Sequence, residues 1–229
     1  MAKKQTIIDF PKSTITFLKK LAANNNKEWF NAHRDEFETH LYIPAQMFVN
    51  EMGDKLKSIS PGITAIPKTD KSIFRIHRDV RFSKNKAPYK TNLGMLFWEG
   101  AGRNESSGYY AHVEPKLFFV GTGMYVFSDT QLKKYREIVT NPVKAEELES
   151  IIRKLEKKNY KMGGKTYKQT PRGFDKEYEY RDLYLFSGVY AYYESKNLKE
   201  ILESDFTDFC FKIFKEHLPL HNWLVKNIG

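Results

Sequence analysis

Residues 74–92, FRIHRDVRFSKNKAPYKTN, carry three arginines, three lysines, one histidine and a single aspartate. A guanidinium is planar and always charged, and its forked N–H groups match two oxygens of a phosphate or carboxylate. Three of them so close together point to an anion-binding site built from Arg75, Arg78 and Arg81. Lys86 and Lys90 extend it along a loop that contains Pro88, where Tyr89 offers a ring and a hydroxyl. Read as extended chain, positions 74–83 put Phe74, Ile76, Val80 and Phe82 on one face. Arg75, His77, Asp79 and Arg81 then share the other face, and Arg78 alone lands among the apolar residues. A buried, unpaired guanidinium is too costly to keep. Arg78 is therefore expected at a bulge, or buried against a carboxylate. The competing reading makes the whole run structural, with Arg–Asp pairs fastening strand to helix.

For acid–base chemistry the best candidate is His112, with Glu114 or Asp79 as its partner. Ser83 has no base nearby in sequence to activate it. His77, Asp79, His112 and Glu114 alternate as metal ligands would on two strands, but the neighbouring arginines oppose a divalent cation, so no metal is expected. Residues 163–168, GGKTYK, lack the spacing and preceding strand of a phosphate-binding loop. Nothing in the sequence calls for a cofactor. The one cysteine, Cys210, lies in the apolar stretch DFTDFCFKIF and reads as a buried structural thiol.

These residues need elements to hold them. Positions 10–60 repeat apolar residues at helical spacing, with Asn25 three before Glu28 as an expected cap and Pro44 as an expected kink or restart. Between 63 and 127 the period falls to two, which predicts an antiparallel sheet of at least three or four strands with a hairpin at 107–126. Helices return at 128–158, where Ser128 with Gln131 and Asn141 with Pro142 are start signals. Positions 159–182 read as a polar loop, YLFSGVYAYYE as a further strand, and 204–217 as a closing helix.

The charged run also resembles the signature of a known family, domain of unknown function 2461. The matching positions are Phe74, Arg75, Ile76, Arg78, Asp79, Arg81, Phe82, Ser83, Lys86, Pro88, Tyr89, Lys90 and Thr91. LAANNNKEWFNAHRDEFE, YYAHVEP with GTGMY, and PRGF at 171–174 are similar to other parts of it, so the likeness covers most of the chain. It implies no activity. It does suggest which segments meet: Arg75, Arg78, Arg81, Lys86, Lys90, Tyr110, His112 and Arg172 are family-like polar positions from separate stretches, expected to line one pocket.

Together these readings predict a single α+β domain over residues 1–229, with an antiparallel β-sheet flanked by helices from the N-terminal and C-terminal segments. The net charge of +10 favours an anionic partner. The expected partner is a phosphate- or carboxylate-bearing small molecule in an arginine- and lysine-lined cleft, with phosphoester chemistry as the catalytic version. The alternatives are a nucleic-acid-binding module stacking bases on Tyr89, Tyr110 or Trp98, and an interaction domain with structural ion pairs. No stretch is apolar and long enough to span a membrane, and the expected location is the cytoplasm. The sequence fixes no oligomeric state.

Overall fold

The computed structural model describes residues 10–100, 102–103 and 105–229. In chain order the elements begin with α1 (Lys12–Ala23), α2 (Lys27–Ala32), α3 (Arg34–Phe37), a π-helical turn (Glu38–Tyr42) and α4 (Ile43–Lys57). Strands β1 (Leu93–Trp98), β2 (Gly108–Val113) and β3 (Phe118–Met124) follow, then α5 (Asp129–Val139) and α6 (Pro142–Lys157). The chain ends with β4 (Lys161–Lys165), a 3₁₀ turn (Arg181–Leu185), β5 (Phe186–Ser195), α7 (Lys199–Leu202) and α8 (Phe206–Asn227). The fold is α+β, and its five-stranded antiparallel sheet has the order β1-β2-β3-β5-β4.

The residues sort into two compact units, each assembled from three stretches of chain. The first comprises residues 1–97, 110–119 and 194–211. Its core is Leu18 and Leu21 of α1, Phe48, Met52 and Leu56 of α4, and Phe206 at the start of α8, all buried. Pro44 falls in the first turn of α4, directly after the π-helical turn, and the His40 carbonyl four residues before it accepts from the Thr14 hydroxyl. The cap of α2 is Asn26, whose side chain accepts from the Trp29 N–H at 2.8 Å. Asn25, the expected cap, is turned to another task described below. Cys210 is buried, and burial pushes its thiol pKa up, as suits a structural thiol.

The second unit comprises 98–109, 120–193 and 212–229. Both predicted helix starts are present: Ser128 and Gln131 form a reciprocal capping box, and Asn141 accepts from the N–H groups of Val143 and Lys144. The fully buried Tyr135 donates its hydroxyl to the Leu183 carbonyl at 2.9 Å. The expected loop at 159–182 contains a strand instead. β4 pairs antiparallel with β5 and holds only five residues, KMGGK. Its glycines hid it from a pattern of β-branched residues, yet both are required by packing. A Cβ on Gly163 would run into the Tyr190 ring, and Gly164 takes a φ of +96° where the register shifts. α8 also runs further than the predicted 204–217, continuing through Pro219. Among the described residues no helix is long and apolar enough to cross a membrane.

Burial lowers the pKa of three histidines: His112 to about 4, His221 to about 4 and His217 to about 3. Each titrates near 6.5 when unfolded. The unfolded chain therefore binds more protons between about pH 6.5 and 4, so stability is full above that window and falls as pH drops through it. The urea midpoint is expected to decline across this range, and His217→Gln to flatten the decline. An unchanged pH slope in the variant would show that His217 contributes nothing to it.

Candidate anion-binding site

The half-buried strand expected at 74–83 does not form. Ile73 bridges Met95 of β1 and the Phe74 N–H donates to the Gly94 carbonyl at 3.0 Å, but past Phe74 the chain leaves the sheet edge and His77 bridges only Tyr89. Of its four supposed core residues only Ile76 is buried; Phe74 is exposed and Phe82 is 95% exposed. What forms instead is a clasp. The Arg78 N–H donates to the Pro88 carbonyl at 2.8 Å, and the Lys90 N–H to the Ile76 carbonyl at 2.7 Å. Residues 79–87 loop out between these two antiparallel ends.

Arg78 closes the base of that loop. It is half-buried, and its Nη1 donates to the Ala87 carbonyl at 2.9 Å and its Nη2 to Ser83 Oγ at 3.3 Å. Of the two expected settings, a bulge or a carboxylate partner, the carboxylate is not found among the described residues: a carbonyl and a hydroxyl oxygen take two of the guanidinium N–H groups, which lets it be partly buried without an ion pair. Lys86 Nζ braces the same loop through the Val80 carbonyl at 3.1 Å. Arg81 takes the structural role, gripping Asp79 with Nε at 3.0 Å and Nη2 at 2.7 Å from the two carboxylate oxygens. These donors hold the Asp79 carboxyl below its ordinary pKa, with Arg75 adding a weaker pull. Arg75 itself is exposed.

Asn25 ties the clasp to the turn after α1. Its Nδ2 donates to the Tyr89 carbonyl and its Oδ1 accepts from the Tyr89 N–H, both at 3.0 Å. The Tyr89 ring is buried and stacked 4.1 Å from Phe30. The space beside this junction is a cleft of about 260 Å³ with Arg78, Lys90, Asn25, Asn85, Thr91 and Asn92 as its polar lining. It contains two cations, amide and hydroxyl groups, and no carboxylate.

The structure thus draws Arg78 and Lys90 into one cleft, and leaves Arg75, Arg81 and Lys86 outside its lining. Tyr110 and His112 make a separate grouping on β2, with the Tyr110 hydroxyl 3.3 Å from His112 Nδ1. Phe74 sets its edge against Tyr110 at 5.7 Å, and Lys90 Nζ lies 5.7 Å from the Phe74 ring. Burial keeps His112 neutral at physiological pH, with Glu194 opposing the shift, so it adds no positive charge. Arg172 is exposed in a turn of the second unit, where neighbouring Phe174 packs 4.6 Å from Tyr184. Sequence reading gave no site role to Asn25, Asn85, Thr91 and Asn92, although Thr91 stood in the family-like run; the Asn24–Asn26 run read as a cap. It also missed a Ser107–His221 hydrogen bond of 3.0 Å with Glu99 Oε2 3.3 Å from His221 Nε2, a contact not aligned for hydrogen bonding. Ser107 and His221 are both fully buried, so this grouping is a structural tie.

The family model for a conserved hypothetical protein, DUF2461, matches residues 13–223, nearly the whole chain. The chain belongs to this family. No curated protein and no solved structure matches it. Within the DUF2461 signature, the geometry separates two kinds of position: Arg78, Tyr89, Lys90 and Thr91 face the cleft, while Asp79, Arg81 and Lys86 hold the loop together.

Asn25→Ala removes both bonds to the Tyr89 backbone and is expected to cost about 1–3 kcal/mol, since it strands partly buried polar groups. Asn25→Asp keeps the acceptor but sets a carboxylate against the Tyr89 carbonyl, and it should destabilise as well. Chemical denaturation measures both; a wild-type midpoint for Asn25→Ala would refute the junction's role.

Proposed function

We propose that this DUF2461 protein binds a small phosphate- or carboxylate-bearing molecule in the Arg78–Lys90 cleft. The observation that supports this reading is the composition of the lining: Arg78 and Lys90 stand together with amide and hydroxyl groups, and none of the lining side chains is a carboxylate. Arg78 commits two N–H groups to the loop, out of about five that a guanidinium carries. The rest remain for a ligand. Charge-assisted bonds of this kind are the strong ones. Binding rather than phosphoester chemistry is the favoured version, because His112 does not line the cleft. The proposed setting is the cytoplasm, where phosphorylated and carboxylated metabolites are abundant.

Phosphate or sulfate is expected to raise the melting temperature progressively, by a stabilisation of about 2.7 kcal/mol at a hundredfold excess over the dissociation constant. Lys90→Met and Asn25→Asp should each abolish the rise, and the double variant Arg75→Gln/Arg81→Gln should retain it. If the Arg75/Arg81 variant loses the response while Lys90→Met keeps it, the ligand sits on the outer face of the loop and the cleft reading fails.

One observation favours a second reading, single-stranded nucleic acid. Tyr89 and Trp98 are buried and so are not offered to bases, but Phe82 is 95% exposed with Arg81 5.8 Å from its ring. Lys84 and Lys86 follow it in sequence. An exposed ring among cations suits base stacking. Labelled oligonucleotide anisotropy at about 50 mM salt should then show binding that weakens steeply with added salt. Phe82→Ser should weaken it without changing the melting temperature, and absence of binding at low salt would eliminate this reading.

A further inference from the structure

A different arginine, in the second unit, has an unmet need for an anion. Arg136 on α5 lies against the Tyr167 ring at 4.6 Å and the Phe174 ring at 5.9 Å. Its Nε and Nη2 are shielded from solvent and have no hydrogen-bond partner among the described residues. These are the two donors on one edge of the guanidinium, the edge that grips a carboxylate with two parallel bonds. The Tyr178 hydroxyl is likewise shielded and without a hydrogen-bond partner. It belongs to the same aromatic cluster, because Tyr184 packs 5.7 Å from Tyr178 and 4.6 Å from Phe174.

Aromatic faces attract the cation but accept no conventional hydrogen bond, so they leave the edge unsatisfied. A desolvated cationic fork with nothing to bind is a costly arrangement. Two acids of this unit are engaged elsewhere: Glu146 accepts from Tyr180 at 2.6 Å and Glu149 from Arg153 at 3.1 Å. A buried water could accept from the edge, but being neutral it would leave the guanidinium without a counter-charge.

We propose that the Nε–Nη2 edge of Arg136 is a receptor for the carboxylate of a small organic acid. A carboxylate matches the edge in shape and carries the single negative charge that one guanidinium neutralises. A phosphate dianion would bring a second charge that one guanidinium edge does not neutralise. Tyr167, whose ring lies against the guanidinium, is 41% exposed, so this side of the cluster reaches the surface. The site is independent of the Arg78–Lys90 cleft and stands or falls without it.

The test uses the full chain labelled with ¹⁵N-arginine, titrated with sodium acetate against sodium chloride at constant ionic strength and neutral pH. The Arg136 Nε–H resonance is identified as the one that moves in Tyr167→Leu, through loss of the ring current. Acetate should shift that resonance saturably and raise the melting temperature; inorganic phosphate should do less at the same concentration. Arg136→Lys keeps the charge but loses the paired edge, and it should lose the acetate-dependent rise. Lys90→Met should keep it. If acetate leaves the Arg136 Nε–H unmoved, or Arg136→Lys retains the full response, the edge is hydrated and the proposal is wrong. Should Arg136→Lys not fold, the wild-type titration decides alone.

Discussion

Every backbone N–H and C=O that leaves water must find a partner, and past Phe74 residues 75–92 have no sheet to provide one. The two backbone bonds of the clasp meet part of that demand, and side chains meet more of it. Arg78 serves the Ala87 carbonyl, Lys86 the Val80 carbonyl, Asn85 the Ala87 N–H, and Asn25 both polar groups of Tyr89. This explains why so much polar chemistry is concentrated in a short stretch with little regular structure. The structural and ligand-binding readings of the cluster are therefore complementary. The cations first hold the loop to itself, and what remains unengaged on Arg78 faces the cleft beside Lys90.

Residue type alone did not distinguish these roles, because surroundings assign them. Arg81 stands in solvent with Asp79, where an ion pair contributes little to stability. Arg78 is half-buried and bound to neutral oxygens. Arg136 lies against two aromatic rings with one edge unbonded. Three guanidiniums, identical in isolation, thus become a loop fastener, a cleft wall and a candidate receptor.

What could be read in advance follows the same logic. Helices α5 and α6 announced themselves through caps at Ser128 and Asn141, and the β2–β3 hairpin through alternation, because these signals are local. Asn25 could not be assigned, since its partner is 64 residues away, and the neighbouring Asn26 does the capping. The strand read into 74–83 failed for a related reason. Alternation there was genuine, but one face of it, with Phe82 at its end, is not turned to a core. β4 was hidden by glycines whose purpose, room for Tyr190 and a left-handed turn, exists only once β5 lies beside it. The cleft was half legible: its cations were visible as charges, whereas its amides come from a turn far away in sequence.

Each compact unit is stitched from three separate stretches of the chain. A single crossover between genes cannot therefore lift either unit out and graft it elsewhere, as it can with a domain encoded in one continuous run. Such a fold has to be inherited as a whole. A family likeness that runs from residue 13 to residue 223 without confining itself to either unit is the evolutionary trace expected of that arrangement.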